Sequence, residues 1–264
     1  LCQTLSMKLN IVSARTGSLW VRQGIRNFWR QPLALTGLFI LFMVVASAAS
    51  WLPYAGSFLG LMFIPAASLG LMAAAREADL ARFPMPSMLW IGFRQGSTQA
   101  KGLVWMGFFY ALLFCALLAL SSLFDSGEFA RLYLGGGNIS EESITSDSFQ
   151  TAALFCLLLY VPMSSLFWHA PALMHWHAQP LAKSLFFSVM ACWANWRAFV
   201  VYGLTWAGIF LSTSVILSLI SMVFEEGQMS MMLMLPAMLM LASMFFSSSY
   251  YTFRDCFISE PVMA

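Results

Sequence analysis

Six stretches of about 20 apolar residues dominate this sequence, and none carries Lys, Arg, Asp or Glu in its middle. A helix that crosses the hydrocarbon core of a bilayer needs about that many apolar residues. The stretches therefore predict six transmembrane helices, with Trp176 as an alternative end for the fourth. They are Leu33–Trp51, Ala55–Ala75, Gly102–Phe124, Thr151–His169, Phe199–Phe224 and Met229–Tyr251.

The composition excludes a soluble globular protein of this length. Of the 264 residues, 60% are hydrophobic and only 9% are charged, whereas soluble domains carry about 25% charged residues. The five cysteines are scattered and form no CxxC pair, so neither a disulfide framework nor a zinc site is predicted. The expected fold class is an all-α membrane protein. Met7 is a candidate first residue, and the first span is expected to act as an uncleaved insertion signal.

The basic residues predict the orientation. All but one of the 13 Lys and Arg residues fall in residues 1–32, in the second-to-third and fourth-to-fifth connections, or in the tail. The exception, Arg131, shares the opposite side with most of the acidic residues. Because cytoplasmic segments are enriched in Lys and Arg, both termini are expected in the cytoplasm. The polar connection 125–150 is then periplasmic, and we expect a solvated connector there, with a cation or partner surface as the alternative.

Each pair of spans follows a short amphipathic stretch, which predicts three repeated units covering residues 17–76, 85–177 and 180–255. In the first, Val21, Ile25, Phe28 and Trp29 share one side, and arginines are spaced four residues apart on another. This pattern is typical of a helix that lies in the membrane interface, with its apolar side in the lipid and its arginines among lipid phosphates. The predicted lipid-interface residues are Arg22, Arg26, Arg30, Trp29, Trp193, Trp196 and Arg197.

The returning spans carry Pro65, Pro162 and Pro236. They are expected to kink these helices, with broken helices around a binding site as the alternative. The segment Asn27–Arg30 is echoed by Asn195–Arg197, which is one residue shorter. The internal repetition favours a duplicated architecture.

All three histidines, His169, His175 and His177, lie near the inner end of the fourth span. A polar site for a metal or a proton relay is one hypothesis, because ionisable residues at membrane depth are often functional. On a helix, however, His175 and His177 point about 200° apart. Interfacial anchoring is therefore the favoured interpretation, and no metal ligand is assigned.

Catalytic motifs are not found. Ser247, Ser248 and Ser249 are expected to form helix-end hydrogen bonds, because no base accompanies them. The methionines crowded into the sixth span are interpreted as packing residues, with Cu(I) binding as the alternative. No catalytic residue or cofactor is predicted, and the basic residues form no nucleic-acid patch.

Several segments resemble an uncharacterised family of proteobacterial multi-pass inner-membrane proteins. They cover all three predicted units, and the resemblance implies a bacterial inner-membrane location but no activity. The architecture also resembles the membrane domain attached to some glycerophosphodiester phosphodiesterases, without their catalytic domain. The segments are Val21–Gly24 with Phe28, Gln31–Ala34, Gly70–Arg76, Ala170–Leu173 with Trp176 and His177, Lys183–Ser188, Ala191–Trp193 and Tyr250–Asp255.

The polar residues gather at the ends of the spans, which favours a non-enzymatic envelope protein that acts through lipids or through other envelope proteins. A small-solute transporter or channel is the alternative, supported by the repetition and the prolines. A membrane-embedded enzyme is disfavoured, and Asp255 is the residue whose substitution would test it. The sequence gives no oligomeric state.

Overall fold

The computed structural model describes residues 5–52, 55–94, 96–134, 141–223 and 227–261. Most of these residues are helical, with a 3₁₀ segment at Pro86–Phe93 and an antiparallel ribbon in which β1 (Leu5–Leu9) pairs with β2 (Phe257–Pro261). The helices are α1 (Thr16–Arg30), α2 (Pro32–Ser50), α3 (Gly56–Asp79), α4 (Ser97–Asp125), α5 (Glu128–Leu134), α6 (Glu141–Thr145), α7 (Asp147–Trp168), α8 (Ala170–Trp176), α9 (Leu181–Ala194), α10 (Trp196–Val223) and α11 (Gly227–Cys256).

Among the described residues, six helical segments are long and apolar enough to cross a membrane: α2, α3, α4, α7 with α8, α10 and α11. The prediction of six apolar spanning segments is therefore confirmed. Several helices continue beyond their apolar stretch, and α3 reaches Asp79 while α11 reaches Cys256. These polar extensions persist because their side chains find hydrogen-bond partners, as described below.

The prolines act differently at different sites. Pro65, Pro162 and Pro236 all lie inside continuous helices. The fourth span is instead interrupted at His169, where α7 ends and α8 begins with Pro171 in its first turn. A proline in the first turn loses no helical hydrogen bond, whereas one deeper in a helix removes a donor. Trp176 thus ends a second, short helix.

Contacts divide the chain into two compact units. The first comprises residues 1–42, 68–91 and 190–264, and the second comprises residues 43–67 and 92–189. In the first unit, α1 packs against both α10 and α11, which also pack against each other. In the second unit, α4 packs against α5, α7 and α8.

The connection 125–150 is more structured than a solvated connector. Asp125 is buried, and its carboxylate accepts the backbone N–H groups of Gly127 and Phe129. Phe129 in α5 is buried with Leu117, Leu118 and Phe149 of the second unit. Burial of this aromatic ring draws the start of the connection onto α4 and α7, which corrects the expectation for this part only, because Arg131–Leu134 are exposed. The Gly-rich run 135–138 lies outside the described residues.

Candidate functional site

Helix α1 has one face covered by protein and one face exposed. The exposed face carries Arg22, Arg26 and Arg30, together with Trp29, which is 59% exposed. The expectation that the apolar side lies in lipid is wrong for Val21 and Phe28, because protein covers both. The buried residues are Gly17, Trp20, Val21, Gly24, Asn27 and Phe28.

Two glycines allow α1 to approach its neighbours closely. A Cβ atom on Gly24 would lie 2.6 Å from the Cα of Ser248 in α11, and one on Gly17 would lie 2.8 Å from the backbone nitrogen of Tyr202 in α10. Any larger residue at either position would push the helices apart. The small residues thus place the aromatic side chains of α1 against α10 and α11.

A charged network holds the end of α1 to α3 and α11. Arg30 Nη1 donates to the Asp79 backbone oxygen at 3.0 Å and to its Oδ1 at 3.2 Å. Tyr251 also donates its hydroxyl to Oδ1, at 3.0 Å, while Arg254 Nη1 lies 3.7 Å from Oδ2. Asp79 thus receives cationic partners from two other helices.

Asp255 extends this network to the middle of α1. Trp20 donates its indole N–H to Asp255 Oδ2 at 3.0 Å, and Arg254 Nε donates to Oδ1 at 2.9 Å. Arg254 also donates to Gln23 Oε1 at 3.2 Å and stacks on the Tyr251 ring, with its guanidinium carbon 4.7 Å from the centroid. We call Trp20, Gln23, Arg30, Asp79, Tyr251, Arg254 and Asp255 the Asp79–Asp255 network. Its two carboxylates and two guanidiniums balance in formal charge, as expected for a structural anchor.

Buried polar side chains reinforce the same contact. Asn27 Nδ2 donates to the Ala75 carbonyl at 2.8 Å and to Ser247 Oγ at 3.1 Å. Ser248 lies 2.7 Å from the Tyr202 hydroxyl and accepts the Trp206 indole N–H at 3.2 Å. It also donates to the Phe245 carbonyl, and Ser249 donates to the Phe246 carbonyl. The predicted hydrogen bonding of these serines is therefore confirmed, but it occurs inside α11, which continues to Cys256, and not at a helix end.

The segment before α1 is fixed by Asn195, which lies between α9 and α10. Asn195 Oδ1 accepts the Val12 backbone N–H at 2.7 Å, and its Nδ2 donates to the Asn10 carbonyl at 3.0 Å. Asn10 in turn donates from its backbone to the Cys256 carbonyl at 2.9 Å. Both asparagines of the sequence echo, Asn27 and Asn195, are therefore buried and satisfy backbone groups.

Helix α9 buries small residues, whereas α1 buries large aromatic ones. Small residues, Ser184, Ser188 and Ala191, are buried, whereas Phe186 and Met190 are exposed and Trp193 is 75% exposed. Trp196 and Arg197 follow on the surface, with the Arg197 guanidinium carbon 5.5 Å from the Trp196 ring centroid. All seven predicted lipid-interface residues are therefore exposed. Burial raises the pKa of the Cys192 thiol to about 12, so this group stays protonated.

The histidines lie in the second unit and do not form one exposed cluster. His169 is fully buried, and its backbone N–H donates to Ser188 Oγ at 2.9 Å, while Ser188 donates to the Ser165 carbonyl at 2.7 Å. Interfacial anchoring is thus wrong for His169. His175 is buried, His177 is half-buried, and burial lowers the pKa of His177. Within the described ranges, no group of three or more His, Cys, Asp or Glu side chains could hold a metal ion.

The Asp79–Asp255 network is the feature that the sequence analysis missed. Asp79 and Tyr251 are 172 positions apart, and no local spacing connects them. One signal was present in the sequence. Asp79 and Asp255 are among the few acidic residues on the side where the basic residues gather.

A probable inner membrane protein of Burkholderia thailandensis is 38% identical to this chain over 259 residues, covering 97% of the chain and 96% of the relative. This chain belongs to the same family. The predicted membership of a family of proteobacterial inner-membrane proteins is therefore confirmed, and the six apolar helices agree with it. No family model and no solved structure matches the chain.

Proposed function

We propose that this member of the family is a non-enzymatic, multi-pass inner-membrane protein that acts through lipid headgroups at its cytoplasmic face. The observation that carries the proposal is the exposed side of α1. There Arg22 and Arg26 stand beside Trp29, on a helix whose other side is fixed to α10 and α11. Cationic and aromatic side chains together favour the boundary between headgroups and acyl chains.

Helix α9 and the 3₁₀ segment Pro86–Phe93 are the other two elements proposed to lie in this interface, each ahead of a span. Trp193 and Trp196 on the α9 side are exposed, and Arg197 stacks on Trp196. Trp90 in the 3₁₀ segment is also exposed. Aromatic rings of this kind are enriched where a membrane protein meets the headgroups.

The proposed orientation has both termini in the cytoplasm, because all but one of the 13 basic residues then lie on that side. Reporter fusions after Ala264 and at Gly136 test it. Alkaline phosphatase should be inactive at the first site and active at the second. The reverse pattern would overturn the orientation and, with it, the cytoplasmic lipid face.

Lipid contact is tested by placing the photo-crosslinking residue p-benzoylphenylalanine at Trp29 or Trp193 in the full-length protein in native membranes. Both positions should form lipid adducts, because both rings are exposed. The matched control is Trp206, an aromatic ring of similar size that is buried in α10. Crosslinks from Trp29 and Trp193 to protein alone would contradict the proposal.

Small-solute transport is the second candidate. Its support is a buried polar run on α11, formed by Ser243, Ser247 and Tyr251, which meets Asn27 and Asp79. Buried polar groups in spanning helices often mark solute pathways. Uptake by proteoliposomes that disappears in Asn27→Leu, with folding intact, would favour transport over the headgroup proposal.

A further inference from the structure

We propose that Arg22 and Arg26 form a two-guanidinium site for the phosphate of one anionic phospholipid, and that Arg30 is excluded from it. This inference rests on the proposed function, since it names the lipid class and the residues that select it. Sequence spacing makes the three arginines equivalent. Only the tertiary structure separates them, because Arg30 is bound to Asp79.

The spacing of the two free arginines suits a phosphate. Side chains four residues apart on a helix lie on one face, with Cβ atoms about 5–6 Å apart. Neither Arg22 nor Arg26 has an ion-pair or hydrogen-bond partner for its guanidinium among the described residues. Two like charges this close repel each other. A phosphate diester relieves the repulsion by accepting hydrogen bonds from both groups.

Apolar residues border the site at both ends. Leu19 lies three residues before Arg22 and is 48% exposed, and Trp29 lies three residues after Arg26. These positions fall on the same side of the helix as the arginines. A lipid, unlike free phosphate, brings glycerol and acyl groups that cover such side chains. The flanking residues therefore favour a lipid headgroup over a soluble anion.

The buried face of α1, opposite the two arginines, fixes the position of the site. Trp20 is bonded to Asp255, and Gly24 packs on Ser248, so the backbone that carries Arg22 and Arg26 is fixed to α11. Binding then orders only the two arginine side chains, which reduces its entropic cost. A net charge of two on the site favours an anionic lipid over a zwitterionic one, whose ammonium group the arginines repel.

Lipid retention by the full-length protein tests the inference. Purified protein in detergent is titrated with phosphatidylglycerol or phosphatidylethanolamine, and bound lipid is counted by native mass spectrometry. The variant is Arg22→Gln with Arg26→Gln. Its matched control, Arg15→Gln with Arg82→Gln, removes two exposed arginines of the same unit that are not part of the proposed lipid interface.

The first variant should bind phosphatidylglycerol about 30-fold more weakly, since each basic residue near a membrane surface contributes about 1 kcal/mol. The control should change affinity less than about threefold. An equal loss in both variants, or no loss in the first, would overturn the site. Displacement of phosphatidylglycerol by equimolar glycerol 3-phosphate would also overturn it, because the site would then take soluble phosphate.

Failure here is distinguishable from failure of the proposed function. If the crosslinker at Trp29 labels lipid while both double variants keep full phosphatidylglycerol binding, the face contacts lipid but Arg22 and Arg26 do not select it. If the crosslinker labels protein alone, the proposed function itself fails. Arg30→Gln should reduce thermal stability and leave phosphatidylglycerol affinity within about threefold of the wild type.

Discussion

Helices α1 and α9 both precede a long apolar helix, yet they bury opposite kinds of residue. Helix α1 buries large aromatic residues such as Trp20 and Phe28 and exposes arginines, whereas α9 buries Ser188 and Ala191 and exposes Trp193. The partners of α1 explain its choice, since α10 and α11 cover its apolar side. On α9 the small residues allow close contact with neighbouring backbone, and the large aromatic side chains lie on the exposed face. Amphipathic spacing therefore distinguishes two faces of a helix, but it does not predict which face packs against the rest of the protein.

The strongest test of this difference compares two tryptophans. Trp20→Ala should lower the free energy of unfolding by about 3 kcal/mol, because it leaves a cavity and removes the donor to Asp255. Trp193→Ala should change it by less than about 0.5 kcal/mol, since that ring is 75% exposed. Denaturant unfolding in detergent micelles measures both values. Equal losses would mean that α9 is anchored by its large residues, as α1 is.

A smaller effect is expected at the two echoed asparagines. Asn195→Ala should cost about 2 kcal/mol, because the Val12 backbone N–H loses its acceptor. Asn27→Ala should cost about 1 kcal/mol, since it removes a donor to the Ala75 carbonyl. Limited proteolysis adds a specific readout, because only the Asn195 variant should release residues 10–12. Equal proteolysis of both variants would show that Asn195 does not hold this segment.

The smallest effect is the pH dependence of stability that comes from His177, which lies between α8 and α9. Burial lowers the pKa of His177, so the unfolded chain binds a proton that the folded chain excludes. Wild-type stability should therefore fall, relative to His177→Gln, as the pH drops through about 6.5, the ordinary pKa of histidine. Above about pH 7.5 the two proteins should show the same pH dependence. Thermal unfolding between pH 8 and 5 measures the difference, and parallel curves throughout would contradict it.

Much of the fold was predictable from local patterns. Six spans followed from apolar length alone, and the exposed positions of Arg22, Arg26 and Trp29 followed from their spacing. The orientation, the repeated units and the absence of catalysis stay predictions. The histidine interpretation was wrong for His169, because this residue is fully buried at the break between α7 and α8, and its spacing from the other histidines does not indicate that burial.

By itself, the sequence determined that the chain forms six membrane-compatible helices with cationic side chains near their ends. Apolar length and charge are local properties. The free energy of transfer into a bilayer depends on them separately for each segment. Tertiary structure alone decided that α1 packs on α10 and α11 and that Arg30 pairs with Asp79 while Arg22 and Arg26 stay free. Those choices join residues far apart in the chain, and they depend on shape and hydrogen-bond geometry that no local window contains.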